Sequence, residues 1–160
     1  MPSYTSRETQ VLRDQPANIP GDPAYGGRER RFRATIDLNN LRLNSSAGSA
    51  VAGLVVNDDV LLCDLPPGYR FAGYEIVSTV GLGTTTINIG NSQTHASNTK
   101  FATGITVPTA NVPVVGGGAG LGLQRAAAPS PGERIFATFG TAAVAASANS
   151  ITIDIIALGP

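Results

Sequence analysis

Apolar and polar residues alternate along the chain from residue 32 onward. In residues 32–43 the alternation begins with four apolar residues of one parity: Phe32, Ala34, Ile36 and Leu38. Polar residues Arg33, Thr35 and Asp37 stand between them. Side chains of a strand point to opposite faces in turn, so a period of two indicates a strand with one buried face. The pattern predicts a half-buried strand here.

Short β-branched or alternating runs, separated by turn residues, recur to the end of the chain. They predict further strands at residues 51–56, 60–65, 70–80, 84–89, 101–107, 112–115, 121–124, 134–139 and 151–158. Helical periodicity is missing, and the alanine-rich residues 141–148 are expected to form a loop beside Gly140. Many short strands at regular spacing are typical of sandwiches and barrels. The prediction is an all-β chain with one β-sandwich or jelly-roll domain at residues 34–160.

Two segments of similar sequence begin predicted strands. Pro67-Gly68-x-Arg70 recurs as Pro131-Gly132-x-Arg134. Either two turns of similar shape require similar residues, or half of the domain has been duplicated. In both cases the two segments are expected to be hairpins whose strands face one core.

Residues 1–33 differ from the rest in composition. They have no sustained apolar period, they are rich in proline and glycine, and they carry a net charge of +2, whereas residues 34–160 carry −2. A polar segment without an apolar face cannot offset the entropy lost on ordering. We therefore expect an extended N-terminal arm, residues 1–33, that becomes ordered on a partner or on a neighbouring copy.

The arm supplies the candidate partner-binding residues: Arg7, Arg13, Tyr25, Arg28, Arg30, Arg31, Phe32 and Arg33. The planar guanidinium suits bidentate contacts at a protein interface. A protein partner is favoured over nucleic acid because few aromatic side chains stand nearby to stack on bases. Nucleic-acid contact and a solvated linker remain the alternatives.

Overall composition excludes several classes of protein. The 160 residues carry 11 basic and 11 acidic side chains, and only 14% are charged, against about 25% in an average soluble protein. Neutrality argues against a generally basic nucleic-acid binder. No apolar run is long enough to span a bilayer, and the first residues lack the apolar core of a signal peptide. We expect no nucleic-acid partner and no membrane partner.

Residues capable of catalysis or metal binding are few. Cys63 lies in an apolar strand and is expected to be a small buried residue, and His95, in a polar loop, is expected to be exposed to solvent. Asp58, Asp59 and Asp64 fit a turn better than a calcium loop. The glycine-rich residues 116–122 match no phosphate-binding pattern. We predict no catalytic residue, no cofactor and no metal, and hence a protein that is not an enzyme.

Two stretches resemble small head decoration (cement) proteins of tailed bacteriophages. They are residues 65–76, LPPGYRFAGYEI, and residues 82–90, LGTTTINIG. The resemblance implies a sandwich or jelly-roll domain on the outer capsid surface. Such proteins are commonly trimeric, and their arms reach between major capsid proteins. The resemblance brings no catalytic residue.

The functional hypothesis is therefore a structural virion protein, made in the host cytoplasm, that cements a phage capsid. Its expected partners are the major capsid protein and further copies of itself in a homo-oligomer, with a trimer expected. Tail-tube, adaptor and fibre-base components are alternatives within the same class. A carbohydrate-binding sandwich is an alternative from another class, with Tyr69, Phe71 and Tyr74 as its local aromatic cluster. An enzyme is the weakest alternative.

Overall fold

A computed structural model describes residues 29–39, 41–42, 50–51, 53–117 and 128–159, with backbone alone for the two dipeptides. Its one helix is the 3-10 turn His95–Ser97. The strands are β1 (Glu29–Asp37), β2 (Leu41–Arg42), β3 (Ala50–Val51), β4 (Asp59–Leu65), β5 (Arg70–Ser78), β6 (Thr86–Gly90), β7 (Ala102–Thr106), β8 (Val114–Gly116), β9 (Glu133–Gly140) and β10 (Ser150–Leu158). The prediction of an all-β chain is confirmed.

Eight of the strands form two antiparallel four-stranded sheets. Sheet 1 has the order β1-β10-β5-β8, and sheet 2 has the order β4-β9-β6-β7. The remaining strands, β2 and β3, pair with each other. Between β4 and β10 every connection except β6–β7 passes from one sheet to the other. Consecutive strands therefore contribute to opposite sides of one core.

The core lies between the sheets and is made of the strand positions that the alternation predicts. In β1, Ile36 is buried, while Thr35 and Asp37 are exposed. The largest fully buried side chains come from both sheets and their connections: Phe71, Phe139, Leu38, Leu54, Leu65, Ile76, Ile87, Ile89, Ile135, Ile151, Ile153 and Ile155. Burial of such side chains stabilises the fold by about 2 kcal/mol each.

The sandwich has two distinct ends. At the proximal end β1 begins and β10 ends, because Glu29 pairs with Leu158, and Leu158 also pairs with Arg70. Residues 66–69 join sheet 2 to sheet 1 at this end. At the distal end β1 ends and β10 begins, because Asp37 pairs with Ser150. Both repeated Pro-Gly turns lie at the proximal end, where a Cβ added to Gly132 would meet the Leu65 carbonyl at 2.8 Å.

Two of the sequence-based expectations are wrong, and a third concerns residues that the structure does not describe. Residues 51–56 are not one strand, because Gly53 turns the chain at φ +79° against the Val144 carbonyl and leaves Val55 54% exposed. β4 and β5 lie in different sheets, so the first Pro-Gly segment is not a hairpin. Residues 121–124 lie outside the described residues.

The start of β1 bears on the predicted arm. The strand begins at Glu29 and pairs with β10 from its first residue, so residues 29–33 belong to sheet 1. Phe32 packs against the core, which explains why the strand extends this far. Residues 1–28 lie outside the described residues, and for them the arm stays a prediction.

Candidate interaction surfaces

Strand β1 places its arginines at an edge of sheet 1. Alternation along the strand turns Phe32 toward the core and Arg31 and Arg33 to the outer face. Four of the predicted interface residues therefore lie in β1: Arg30, Arg31, Phe32 and Arg33. The other four, Arg7, Arg13, Tyr25 and Arg28, lie outside the described residues.

Arg33 forms a two-pronged ion pair with Asp154 of β10. Its Nε donates to Asp154 Oδ1 at 2.8 Å, and its Nη2 donates to Oδ2 at 2.7 Å. The Asp154 side chain is only 4% exposed, whereas that of Arg33 is 51% exposed. The hydrogen bonds to Asp154 raise the pKa of Arg33 above its usual value. A fork-to-carboxylate geometry of this kind is the strongest form of protein ion pair.

Arg31, two residues before Arg33 on the same face of β1, also pairs with a carboxylate, through one hydrogen bond. Its Nη1 donates to Glu75 Oε2 of β5 at 3.1 Å, across the intervening strand β10. Glu75 and Asp154 are direct cross-strand partners, a position where two like charges destabilise a sheet. One arginine from β1 neutralises each carboxylate. We call Arg31, Arg33, Glu75 and Asp154 the sheet 1 charge cluster.

Arg30 takes a different role at the proximal end. Its guanidinium carbon lies 5.1 Å from the centroid of the Tyr69 ring, within the range of a cation–π contact. Tyr69 is buried and belongs to the turn between β4 and β5. Arg30, Arg31 and Arg33 thus contact other parts of the same chain, and their predicted contact with a partner stays a prediction.

The outer face of sheet 2 is covered by the segment that joins β6 to β7, residues 91–101. Within this segment Asn98 is fully buried against the sheet, and its Nδ2 lies 3.0 to 3.2 Å from three oxygens: Asn88 O, Phe136 O and Thr138 Oγ1. Its Oδ1 accepts from the Ser92 amide at 3.0 Å. Asn88 contacts the middle of the segment and the strand that follows it, because it donates to the His95 carbonyl at 2.9 Å and accepts from the Gly104 amide of β7 at 2.8 Å. We call Asn88, His95, Asn98 and Thr138 the sheet 2 amide network.

His95 is therefore not a freely solvated loop residue. Its side chain is half-buried, and Nδ1 lies 3.1 Å from the Thr138 carbonyl, to which it can donate. The ring lies directly over Gly140, where an added Cβ would stand 2.2 Å from Nε2. The expectation of a solvent-exposed histidine is corrected, because β9 has no side chain at Gly140 and leaves room for the ring.

Cys63 is shielded from nucleophilic chemistry. It packs against the core side of sheet 2, whereas His95 lies on the outer face of the same sheet. Burial, with a smaller contribution from Asp64, raises the pKa of the Cys63 thiol to about 12. A thiol with such a pKa is protonated at neutral pH and is a poor nucleophile. The expectation of a small buried residue holds in part, because Cys63 packs against the core but is only half-buried.

The clustered aspartates have structural partners. Asp58 accepts from the Val55 amide at 2.7 Å and closes the turn before β4. Asp59 accepts from Gln93 at 3.0 Å, and Asp64 pairs with Arg134 at 3.5 Å. Among the described residues, no three side chains of metal-ligating type stand together. These contacts explain the three acids without a bound cation.

Aromatic side chains are also engaged within the fold. Phe71 stacks on Phe101 with ring centroids 4.6 Å apart, and Tyr69 and Tyr74 are both buried. A sugar-binding platform needs exposed rings, so the cluster named for carbohydrate binding is not available as such a platform.

None of the helical residues that the structure describes forms a candidate membrane span.

Asn88, Asn98 and Asp154 are not among the residues that the sequence pattern identifies as functional. Asn88 stands between two isoleucines in a β-branched strand, and Asp154 also stands between two isoleucines in β10. A polar residue flanked on both sides by such residues is the signal that could have found both. Asn98, in a polar loop, has no comparable signal, because its partners lie on strands far away in the sequence.

Comparison with known proteins finds a similar fold. No protein-family model matches the chain, and no curated protein matches it. A chain of the solved structure "Cyanophage Pam1 capsid asymmetric unit" matches it with a TM-score of 0.56 and 17% sequence identity. The match covers 100% of both chains. At this identity the likeness shows a shared fold.

Proposed function

We propose that the chain is a structural protein of a phage virion that binds the outside of the capsid and stabilises it as a decoration or cement protein. The observation that carries the proposal is the match, over the full length of both chains, to a chain of a phage capsid asymmetric unit. The motifs at residues 65–76 and 82–90, which resemble those of phage head decoration proteins, are a second support that does not depend on this match. In the structure they form β5 and β6 with the turns before them.

The strand orders support the jelly-roll interpretation. If the eight sandwich strands are numbered in chain order, β1 and then β4 to β10, sheet 1 has the order 1-8-3-6 and sheet 2 has the order 2-7-4-5. Each sheet thus places one of the last two strands, 8 or 7, between two earlier strands. Two interleaved Greek keys produce this arrangement, which recurs in viral capsid domains.

The engagement of the candidate reactive groups supports a non-enzymatic role. The raised pKa of Cys63 opposes thiolate formation, and His95 is occupied by Thr138 on the opposite face of the sheet. The acids of residues 58–64 are occupied by turn and strand contacts. On this proposal the protein acts by binding alone, without cofactor or metal.

The proposed partners are the major capsid protein and further copies of the chain. β1 begins with Glu29 at the proximal end, and the predicted arm precedes it in the chain. An arm that orders on binding spreads contact over a wide surface. Repetition over a symmetric shell turns weak contacts into stable attachment through effective concentration. We propose a homo-oligomer, with a trimer expected, at the virion surface.

Cryo-electron microscopy of the native virion tests the proposal. The expected result is density for the sandwich at many symmetry-related positions on the outside of the head. Density at the tail or neck alone would favour a tail-tube, adaptor or fibre-base component. Absence of the chain from purified virions, checked by mass spectrometry of the same sample, would overturn the proposal.

A further inference from the structure

Charge is distributed unevenly along the strands of the sandwich. Five cationic side chains lie toward the proximal end: Arg30, Arg31, Arg70, Lys100 and Arg134. Strand register places them there, since Arg30 pairs with Ala157, Arg70 with Leu158, and Arg134 with Asp64 near the end of β4. Lys100 contacts Glu133, the first residue of β9. Arg33 lies at the middle of β1.

Acidic side chains mark the opposite end. Asp37 and Asp59 lie at the distal end by register with Ser150 and Thr138, and Asp58 precedes β4 there. No lysine or arginine side chain that the structure describes lies at the distal end. Arg42, described by its backbone alone, belongs to β2 in the connection between β1 and β4.

The carboxylates of the proximal end are fewer than its cations. They are Glu29, Asp64 and Glu133. The side chains of Glu29 and Asp64 are 58% and 73% exposed beside Arg31 and Arg134, and Glu133 is 7% exposed beneath Lys100, whereas Arg134 is 68% exposed and Arg70 is exposed as well. Five cations against three carboxylates give the described side chains of the proximal end a net charge of +2, and the three aspartates of the distal end carry −3. We call Arg70, Lys100 and Arg134 the proximal basic surface.

We propose that the proximal basic surface docks on an acidic patch of the protein shell, so that the distal end points away from it. This inference rests on the proposed capsid-binding function and names the face of the folded domain that makes the contact. Opposed charges at the two ends of one body favour a single approach direction, because complementary potentials steer encounter and suppress wrong orientations. The predicted arm joins β1 at this same end, so arm and domain would reach the shell together.

Paired charge variants test the docking face. Arg70→Ser with Arg134→Ser removes charge from the proximal basic surface. Thr109→Glu with Ala148→Glu adds the same net change at exposed distal positions. The probe is the empty head of the virus that encodes the chain, stripped of this protein, and co-sedimentation with full-length labelled chain gives the half-saturating concentration at low and high ionic strength.

The proximal variant is expected to raise the half-saturating concentration on the order of tenfold at low ionic strength, and the difference is expected to shrink at high salt. The distal variant is expected to change it by less than about twofold. Thermal unfolding of each variant checks that it is folded. If the double variant fails to fold, Arg134→Gln alone replaces it, because both Arg134 and its partner Asp64 are well exposed.

Three other outcomes would contradict the proposed docking face. Equal weakening by both double variants would mean that net charge alone matters and would refute the docking face. Weakening by the distal variant alone would reverse the orientation. Failure of the unchanged chain to bind stripped heads would overturn the proposed capsid function, and this inference with it.

Discussion

The outer faces of the two sheets are built on different physical principles. The outer face of sheet 1 carries exposed side chains, Arg33 and Thr35 among them, and ion pairs such as Arg33–Asp154 cross it. Sheet 2 covers its outer face with residues 91–101 of its own chain and holds that cover with neutral amide hydrogen bonds centred on Asn98. Charged groups tolerate burial poorly, whereas a fully bonded amide tolerates it well. On sheet 2 the polar side chains hold a covering segment in place, whereas on sheet 1 they pair with one another along a face that carries exposed side chains.

Removing Asn98 is expected to have the largest effect on this contrast. Asn98→Ala removes buried hydrogen bonds to the Asn88 and Phe136 carbonyls and to the Thr138 hydroxyl and should lower the free energy of unfolding by about 3 kcal/mol. Hydrogen exchange should accelerate in residues 91–101 and leave β1 unchanged. Urea unfolding measures the first effect, with the exposed Asn91→Ala as control. An equal loss for both variants would show that the cover does not depend on the amide network.

Removing Arg33 tests the ionic face in the same way. Arg33→Ala leaves Asp154 as a nearly buried, unpaired carboxylate beside Glu75, and should lower the free energy of unfolding by about 2 kcal/mol. The estimate stays below that for a fully buried pair because Arg33 is half-exposed. Adding Asp154→Asn to Arg33→Ala removes the unpaired charge and should restore part of the loss. No restoration would mean that packing of the arginine stem, and not charge, stabilises β1.

Gly140 offers a steric test of the sheet 2 cover. Gly140→Ala would place a methyl group against the His95 ring and should lower the free energy of unfolding by about 1 kcal/mol. Because His95→Ala removes the obstacle, the double variant should be no less stable than His95→Ala alone. A thermal double-mutant cycle measures this coupling. Additive losses would place the strain in the β9 backbone and not in the ring.

The smallest expected effect concerns Arg31. Its side chain and that of Glu75 are 40% and 30% exposed, so Arg31→Ala should lower the free energy of unfolding by about 0.5 kcal/mol. Molar salt should reduce the difference between Arg31→Ala and the unchanged chain, and it should leave the effect of Asn98→Ala in place. Urea unfolding at two salt concentrations checks both. A salt-independent Arg31 effect would contradict the ionic description of the sheet 1 face.

Much of the sandwich could be predicted from the sequence, because its strands carry local signals. The parity of Ile36 and Leu38 in residues 32–43 identifies the buried face, and the β-branched residues 151–158 identify β10. Residues 51–56 misled the prediction because an apolar run does not reveal that Gly53 must turn against Val144. Sheet membership was also beyond the local pattern, since β4 and β5 are joined by a tight turn yet lie in different sheets.

The candidate site could be predicted less well. The arginines of residues 30–33 stood out by composition, but their partners Asp154 and Glu75 are distant in sequence, so their intrachain pairing could not be foreseen. The same holds for His95, whose environment is made by Thr138 and Gly140 of β9. Local composition identifies which groups carry chemistry. Only the long-range topology decides what they contact.

The order in which the ribosome releases the strands has a consequence for biosynthesis. The strand β9 lies between β4 and β6, and β10 lies between β1 and β5, so one of the two inner strands of each sheet comes from residues 133–158. Until these residues emerge, β1 and β4 lack the strands that pair with them. We therefore expect the sandwich to stay unfolded until residues 133–158 have emerged, and then to fold slowly because its contacts are non-local. Pulse proteolysis of ribosome-bound chains stalled before and after β10 would show the step.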